Sequence, residues 1–278
     1  LAVIVSGPVN RDRSVMAEGN DFLHLLRQHG HTPPPAMEGT AGSITTPTEG
    51  TTILAVRYRD GVLVAGDRRA TAGNVIVYDR AAKVLSVDDR SVLALSGSPA
   101  NAYEIARLLE ISFQHYRRTQ LQELSLDGRL RTLSRLLRDN LPMAMQGIGA
   151  VVPIYVTFEH PSGRGEHDPG GKIFFYDVLG ATFESVDFCT TGSGSPIIRG
   201  ALYYQNRWEQ PFIERDEAAT LILVLKMLET AAEFDTATGG FSATAAIYPQ
   251  VMRVTAEGIS SIDEATLAAT YRLAEVRT

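Results

Sequence analysis

The chain has 278 residues, 44% hydrophobic and 21% charged, so it can bury a substantial core in one or two domains. Its 26 basic and 32 acidic residues give a net charge of −6 without a long block of like charge, which argues against nucleic-acid binding. The single cysteine, Cys189, excludes an internal disulfide framework, and no stretch is as long as the roughly 18 apolar residues that cross a bilayer.

The N-terminal part differs in composition from the rest. Residues 31–50 are mostly Pro, Gly, Ser and Thr, which predicts a flexible leader, with one short helix near 21–26. His24, His29 and His31 have no cysteine or carboxylate at a ligand spacing, so surface histidines are favoured over a metal site. We expect no metal and no cofactor.

The composition changes abruptly between Gly50 and Thr51. Two apolar runs follow, separated by the turn residues Asp60-Gly61. If the chain is cut at this change, Thr51 becomes an N-terminal threonine, which carries a hydroxyl nucleophile and an α-amine base on one residue. The alternative is a disordered leader joined to a strand that begins with threonine, as strands often do.

Short strands and helices are predicted along the remainder from apolar periodicity. Strands are expected at 53–57, 62–65, 75–77, 84–87, 92–95, 154–158, 173–176, 185–189, 243–247 and 252–254. Helices are expected at about 102–116, 130–141, 196–208, 214–234 and 263–274. Strands, a helix pair, strands and then helices argue for an α+β layered domain rather than alternating βαβ units.

The second predicted helix carries arginines beside its leucine stripe. Arg129, Arg131, Arg135 and Arg138 form a basic face that nucleic acid or an anionic membrane would attract. Given the acidic total charge, a solvated or subunit-facing side of an amphipathic helix is the favoured interpretation.

Several polar residues and short polar segments lie beside predicted strands or helices. Asp67 ends the second apolar run, and Lys83, one of three lysines, precedes a later strand. Lysine can shift its pKa and transfer a proton, unlike arginine, although a single lysine is more often solvated. The glycine- and serine-containing segments at 96–98, 192–195 and 235–240 each read alone as an ordinary turn or helix start.

Taken in order, these pieces resemble the β-subunit of the bacterial, actinobacterial-type 20S proteasome. The matching segments are Gly-Thr-Thr-Ile at 50–53, GDRRAT at 66–71, Lys83, SGS at 96–98, AMQG at 144–147, GSGS at 192–195 and DTATGG at 235–240. The resemblance covers the chain from Thr51 onward. It implies a four-layer αββα sandwich, the N-terminal nucleophile hydrolase fold. It also implies that residues 1–50 are a propeptide and that residues 51–278 are the catalytic domain.

The resemblance also implies a set of functional residues. Thr51 is expected to be the nucleophile, Lys83 and Asp67 to tune it, and the Gly97 N–H to bind the oxyanion. Ser193, Asp235 and Thr238 are expected to support the N-terminal threonine, with Thr238 standing where many members have serine. Their alternative role is as helix N-caps.

Substrate preference and partners follow from the same resemblance. The positions that match the primary substrate pocket are Ala70, Ala81, Leu85, Leu95, Pro99 and Tyr103. Since none is charged, we expect preference for apolar residues on the acyl side of the cut. Expected partners are other β-subunits in heptameric rings, proteasome α-subunits, an ATP-dependent ring unfoldase acting through the α-ring, and protein or peptide substrates. Neither nucleic acid nor membrane is expected, and the predicted location is cytoplasmic.

Three other classes of protein share part of this pattern. The smaller bacterial two-ring threonine peptidase also begins Thr-Thr, but its members are shorter and lack the long leader. A non-catalytic ring subunit usually loses the threonine or the lysine, and both are present here. A nucleotide-binding protein is disfavoured because Glu166 and Ile173 break the phosphate-loop pattern around Lys172.

Overall fold

A computed structural model of the chain describes residues 50–73, 75–146, 149–159 and 170–275, and the short helix predicted near 21–26 lies outside them. The first strands along the chain are Thr52–Tyr58 (β1), Gly61–Gly66 (β2), Ala70–Ala72 (β3), Val75–Tyr78 (β4), Val84–Ser86 (β5) and Ser91–Ala94 (β6). The later strands are Ile154–Phe158 (β7), Gly171–Tyr176 (β8), Thr182–Ser185 (β9), Phe188–Gly192 (β10), Gln250–Thr255 (β11) and Gly258–Ser261 (β12).

Helices lie between β6 and β7, between β10 and β11, and after β12. The α-helices are Pro99–Gln120 (α1), Leu126–Asp139 (α2), Leu141–Met145 (α3), Ser195–Tyr204 (α4), Glu217–Phe234 (α5) and Glu264–Glu275 (α6). A π-helical turn, Gln205–Glu209, and a 3₁₀ turn, Phe212–Glu214, connect α4 to α5. None of the helices in the described residues is both long and apolar enough to cross a membrane.

Two five-stranded antiparallel sheets form the centre of the molecule. The first sheet has the strand order β10-β1-β2-β11-β12, and the second has the order β5-β6-β7-β8-β9. A separate hairpin pairs β3 with β4. Because β1 is paired on both sides, with β10 and β2, the residue before it lies at the end of an inner strand of the first sheet.

The packing of β1 shows how the layers form. Side chains of a strand alternate between its two faces. Ile53 and Ala55 pack against apolar residues of the second sheet, whereas Leu54 and Val56 pack against helices on the opposite face. All four are fully buried, so β1 has an apolar side chain at each of these positions rather than at every second one.

Helices cover the outer face of each sheet. The first sheet is covered by α4, α5 and α6, and the second by α1 and α2. The helix residues in contact with the sheets include Ile198, Leu202, Val224, Leu228 and Tyr271 on one side and Ala102, Ile105, Leu109, Leu133 and Leu137 on the other. The result is the predicted α+β architecture, with four layers in the order helices, sheet, sheet, helices.

One predicted strand, 185–189, is wrong because the chain changes sheets there. Ser185 pairs with Ile173 in the second sheet, whereas Phe188 pairs with Val56 in the first. The turn between them exposes Val186. Apolar periodicity continues across this turn, so it does not reveal the change of sheet.

The strand predicted at 243–247 is also wrong. The segment forms turns, closed by an isolated bridge between Ser242 and Ile247. Ala246 has φ of +48°, in the left-handed region, which a regular strand does not contain. Three strands that were not predicted, β3, β9 and β12, are only three or four residues long.

The basic face predicted on the second helix is only partly exposed. The side chain of Arg129 is 7% exposed and lies 3.2 Å from Glu123, 3.6 Å from Glu159 and 3.8 Å from Asp88. Arg129 is therefore buried among partly exposed acidic side chains and does not belong to a solvated face. The helix that carries the leucine stripe is shorter at its C-terminal end than the predicted range of 130–141. It ends at Asp139, and Leu141 begins the separate short helix α3.

Candidate active site

Thr51 lies immediately before β1 and is almost completely buried, at 6% exposure. Its backbone nitrogen donates a hydrogen bond to Ser193 Oγ at 3.2 Å. Its carbonyl accepts a hydrogen bond from the Ser193 nitrogen at 2.8 Å. The pairing of Thr52 with Gly192 brings the end of β10 to this position, so Ser193, which follows β10, fixes the backbone of Thr51.

Asp67 follows β2 directly and is fully buried. One carboxylate oxygen, Oδ1, accepts from the Thr52 nitrogen at 2.9 Å and from Lys83 Nζ at 2.6 Å. The other, Oδ2, accepts from the nitrogens of Arg69 and Gly239, each at 2.9 Å. Four donors from separate segments thus converge on one carboxylate, which compensates for the burial of its charge.

Lys83 precedes β5 and points its side chain toward the first sheet. The side chain is 7% exposed, and besides Asp67 its Nζ donates to the carbonyl of Arg69 at 2.5 Å. Burial lowers the pKa of Lys83 below the ordinary lysine value, although Asp67 opposes that shift by favouring the charged form. Its proton is therefore easier to transfer than that of a solvated lysine.

A chain of hydroxyl groups ends on Asp235. The carboxylate oxygen Oδ2 accepts from Ser193 Oγ and from Thr238 Oγ1, each at 2.6 Å. Thr238 in turn shares a 2.7 Å hydrogen bond with Thr52 Oγ1, which accepts from the Gly194 nitrogen at 3.0 Å. An ionised carboxylate only accepts, so both hydroxyls must donate toward Asp235, and this sets the direction of the whole chain.

Gly97 has φ of +101°, and a Cβ at this position would overlap the carbonyl oxygen of Ala150. Gly97 and Val151 form an antiparallel bridge in which the residues flanking Gly97 make the hydrogen bonds. In such a non-hydrogen-bonded pair, the N–H of Gly97 points away from the neighbouring segment. It is thus free of that segment and lies at a cavity.

That cavity brings together Thr51, Lys83 and Gly97, and Gly50 also lines it. Its volume is about 30 Å³. The predicted pocket residues that line it are Ala70, Ala81, Leu95, Pro99 and Tyr103. The sixth, Leu85, instead packs against the apolar cluster between the second sheet and its helices.

Sequence reasoning did not assign three residues that hold this site together. Thr52 contributes both its nitrogen and its hydroxyl, Arg69 contributes its nitrogen and carbonyl, and Gly239 contributes its nitrogen. Most of these contacts use backbone atoms, which any residue carries. The only available signal was their position inside the family-like segments at 50–53, 66–71 and 235–240.

Two further predictions concern groups outside the hydroxyl network. Cys189 is buried in the inter-sheet core, and burial raises the pKa of its thiol to about 11, so it is not a reactive thiolate. Within the described residues, no group of three or more His, Cys, Asp or Glu side chains is placed to hold a metal ion. His24, His29 and His31 lie outside those residues.

Comparison with known proteins places this geometry in one family. A family model described as "Proteasome subunit" matches residues 48–247, a range that contains the whole site. "Proteasome subunit beta 2" of Thermomonospora curvata is 41% identical over 219 residues, which cover 79% of this chain and 74% of that protein.

Two other relatives give the same result. "Proteasome subunit beta" of Jonesia denitrificans is 34% identical over 255 residues, which cover 91% of this chain and 80% of the relative. "Proteasome subunit beta 1" of Streptomyces avermitilis is 40% identical over 215 residues, covering 77% and 72%. With the family model and the four-layer fold, these similarities show that the chain belongs to the proteasome subunit family and is of its β type.

Proposed function

We propose that this chain is the threonine endopeptidase subunit of a self-compartmentalised proteasome core that degrades unfolded proteins in the cytoplasm. Residues 1–50 are a propeptide, and cleavage between Gly50 and Thr51 releases the catalytic domain at 51–278. The observation that carries the proposal is the position of Thr51. It is buried at one cavity with Lys83, its nitrogen bonded to Ser193.

The α-amine created by cleavage is the proposed general base. While Gly50 is attached, the nitrogen of Thr51 is an amide and has no basic lone pair. Once freed, an α-amine has an unperturbed pKa of about 7.7–8.0, and a neighbouring ammonium lowers that pKa further. A useful neutral fraction is therefore present near neutral pH, adjacent to the hydroxyl that must lose its proton.

The direction of the hydroxyl chain supports this role. Ser193 donates its single proton to Asp235 at 2.6 Å, so its oxygen is left to accept from the nitrogen of Thr51. An amine that donates one hydrogen to Ser193 keeps its lone pair for the Thr51 hydroxyl, directly or through a water. Ser193 and Asp235, together with Thr238, thus orient the base rather than react.

Peptide cleavage then proceeds through an ester. Thr51 Oγ forms a bond to the substrate carbonyl carbon while the N-terminal amine takes its proton, and the Gly97 N–H stabilises the oxyanion. The carbon–nitrogen bond breaks as that proton passes to the leaving amine. Water then hydrolyses the ester and restores the hydroxyl. Asp67 holds Lys83 in place, and Lys83 tunes the hydroxyl and the amine through its charge and proton.

Maturation uses the same nucleophile on its own chain. Thr51 Oγ attacks the carbonyl of Gly50, and its proton passes to the Thr51 nitrogen as the Gly50–Thr51 bond breaks. Water then cleaves the resulting ester, which frees the hydroxyl and releases the Gly50 carboxylate. Cavity residues Ala70, Ala81, Leu95, Pro99 and Tyr103 then become accessible to a substrate side chain. Because they are uncharged, they favour apolar residues.

Confinement explains why activity depends on cleavage. An unselective peptidase is safe only when a chamber surrounds it, so we place this subunit in heptameric β-rings. Rings of α-subunits gate entry, and an ATP-dependent ring unfoldase feeds protein substrates through them. The intact Lys83–Asp67 ion pair argues against a non-catalytic ring subunit. The two-ring bacterial peptidase is disfavoured by the relatives, which are proteasome β-subunits.

Replacement of the nucleophile tests the proposal directly. In Thr51→Ala, co-expressed with the α-subunit, we expect no chain beginning at residue 51 and at least about a thousandfold less peptide hydrolysis, because no attacking oxygen remains. Thr51→Ser keeps a hydroxyl and an amine and should be processed. Intact mass and a fluorogenic peptide assay give both readouts, and a Thr51→Ala particle that still cut peptides would overturn the mechanism.

Asp67→Asn should damage both stability and activity. An amide has one accepting oxygen, so its NH₂ group must face two of the four donors now bound to the carboxylate. We expect the free energy of unfolding, measured by urea denaturation, to fall by about 3 kcal/mol.

The matched control for this change is Asp89→Asn. Asp89 forms a 3.3 Å ion pair with Arg117 but its side chain is 83% exposed, so the free energy of unfolding should change by less than about 0.5 kcal/mol. If both variants were equally stable and active, the role given to Asp67 would be wrong.

Substrate preference is measured on the mature particle with peptides that differ only in the residue on the acyl side of the cut. Leu, Phe or Tyr should be cut at least about tenfold faster than Arg or Asp, because an unpaired charge is costly in an apolar pocket. Fastest cleavage after a basic or acidic residue would refute the assignment of the pocket.

A further inference from the structure

The residue that precedes the cleavage point is pressed against the loop after α5. Gly50 is buried, and its nitrogen donates to Thr71 Oγ1 at 3.3 Å. A Cβ placed on Gly50 would overlap the Cβ of Ala237 and lie 2.8 Å from its Cα and 3.1 Å from its carbonyl carbon. Carbon atoms do not approach so closely, so any side chain at residue 50 forces either the leader or the loop to move.

The loop is not free to move. The nitrogen of Ala237 donates to Asp235 Oδ1 at 3.1 Å. The guanidinium of Arg69 donates to the carbonyls on both sides of Ala237, that of Thr236 at 2.9 Å and that of Thr238 at 3.2 Å. Hydrogen bonds from or to a charged group are the strong ones. The loop is therefore fixed on both sides of Ala237, and a side chain at residue 50 would meet a restrained part of the chain.

The direction of this contact separates the leader from an ordinary substrate. Ala237 lines the neighbouring depression with Thr71 and Gly73, and it is not among the residues that line the cavity at Thr51. A side chain at residue 50 would thus point at Ala237 rather than into the apolar pocket. A substrate places a large side chain in that pocket, so the two cleavages impose different size limits on the residue before the cut.

We infer that Ala237 is a positioning residue for maturation: its methyl group admits only glycine at residue 50 and so keeps the Gly50 carbonyl within reach of Thr51 Oγ. This inference rests on the proposed self-cleavage between Gly50 and Thr51. The chemistry is unchanged, since the same ester forms and water releases the Gly50 carboxylate. What Ala237 adds is a size limit at residue 50 that acts on the leader alone.

A double-mutant cycle on the full chain tests the inference. The parent, Gly50→Ala, Ala237→Gly and the double variant are co-expressed with the α-subunit, and intact mass follows the appearance of the chain beginning at Thr51. We expect Gly50→Ala to slow cleavage at least about tenfold. In the Ala237→Gly background, which lacks the methyl group at residue 237, we expect the slowing caused by Gly50→Ala to be at least about threefold smaller than in the parent. Recovery need not be complete, because the backbone of residue 237 still crowds the added methyl.

Two results would overturn the inference. One is cleavage of Gly50→Ala at the parent rate, and the other is an equal slowing by Gly50→Ala in both backgrounds. Ala237→Val gives a test in the opposite direction, because a larger side chain should slow cleavage even with Gly50 in place.

A second cycle separates this inference from the proposed function. In the uncleavable Thr51→Ala background, Gly50→Ala should lower the melting temperature by several degrees, and Ala237→Gly should recover part of that loss. Additive shifts in melting temperature would show that residues 50 and 237 do not interact, and would refute the role of Ala237. If the parent chain is never cut while the shifts in melting temperature are non-additive, the contact between residues 50 and 237 is real. In that case the proposed self-cleavage is wrong, and with it the role of Ala237 in maturation.

Discussion

The carboxylate of Asp67 is the constraint on which the rest of the site depends. Its four hydrogen bonds join the start of β1, the turn after β2, Lys83 before β5 and the loop at Gly239. Such a buried charge is tolerable only when all of these partners are in place. The sandwich must therefore be fully formed before the lysine is correctly positioned, which links catalytic competence to folding.

Two networks meet at the loop after α5. Gly239 binds Asp67, and Asp235 collects the hydroxyl chain that reaches the nitrogen of Thr51. Between these two anchors lies Ala237, against which Gly50 packs. One short segment thus contacts the partner of Lys83, the hydroxyl chain that reaches Thr51, and Gly50, so in the proposed mechanism this loop bears on both maturation and activity.

Periodicity and resemblance predicted most of the fold, because β1, β2 and α1 bury continuous or regularly spaced apolar residues. Periodicity failed at 185–189, where the chain changes sheets without interrupting its apolar pattern, and at 243–247, where a left-handed Ala246 prevents a strand. At the site, side chains with distinctive chemistry such as Lys83 were predictable. The contributions of Arg69 and Gly239 were not, since backbone nitrogens and carbonyls leave no mark in a sequence.

The central claim is that the free amine of Thr51 is the base for its own hydroxyl. Near pH 6.5 an acylating reagent prefers an exposed α-amine, whose pKa is about 7.7–8.0, over solvated lysines near 10.4, and the fraction of Lys83 that is modified is measured alongside that of Thr51. Peptide hydrolysis by the mature particle should therefore fall in proportion to the fraction of Thr51 that is acetylated, as measured by peptide mapping. Fully acetylated Thr51 with undiminished hydrolysis would contradict the account.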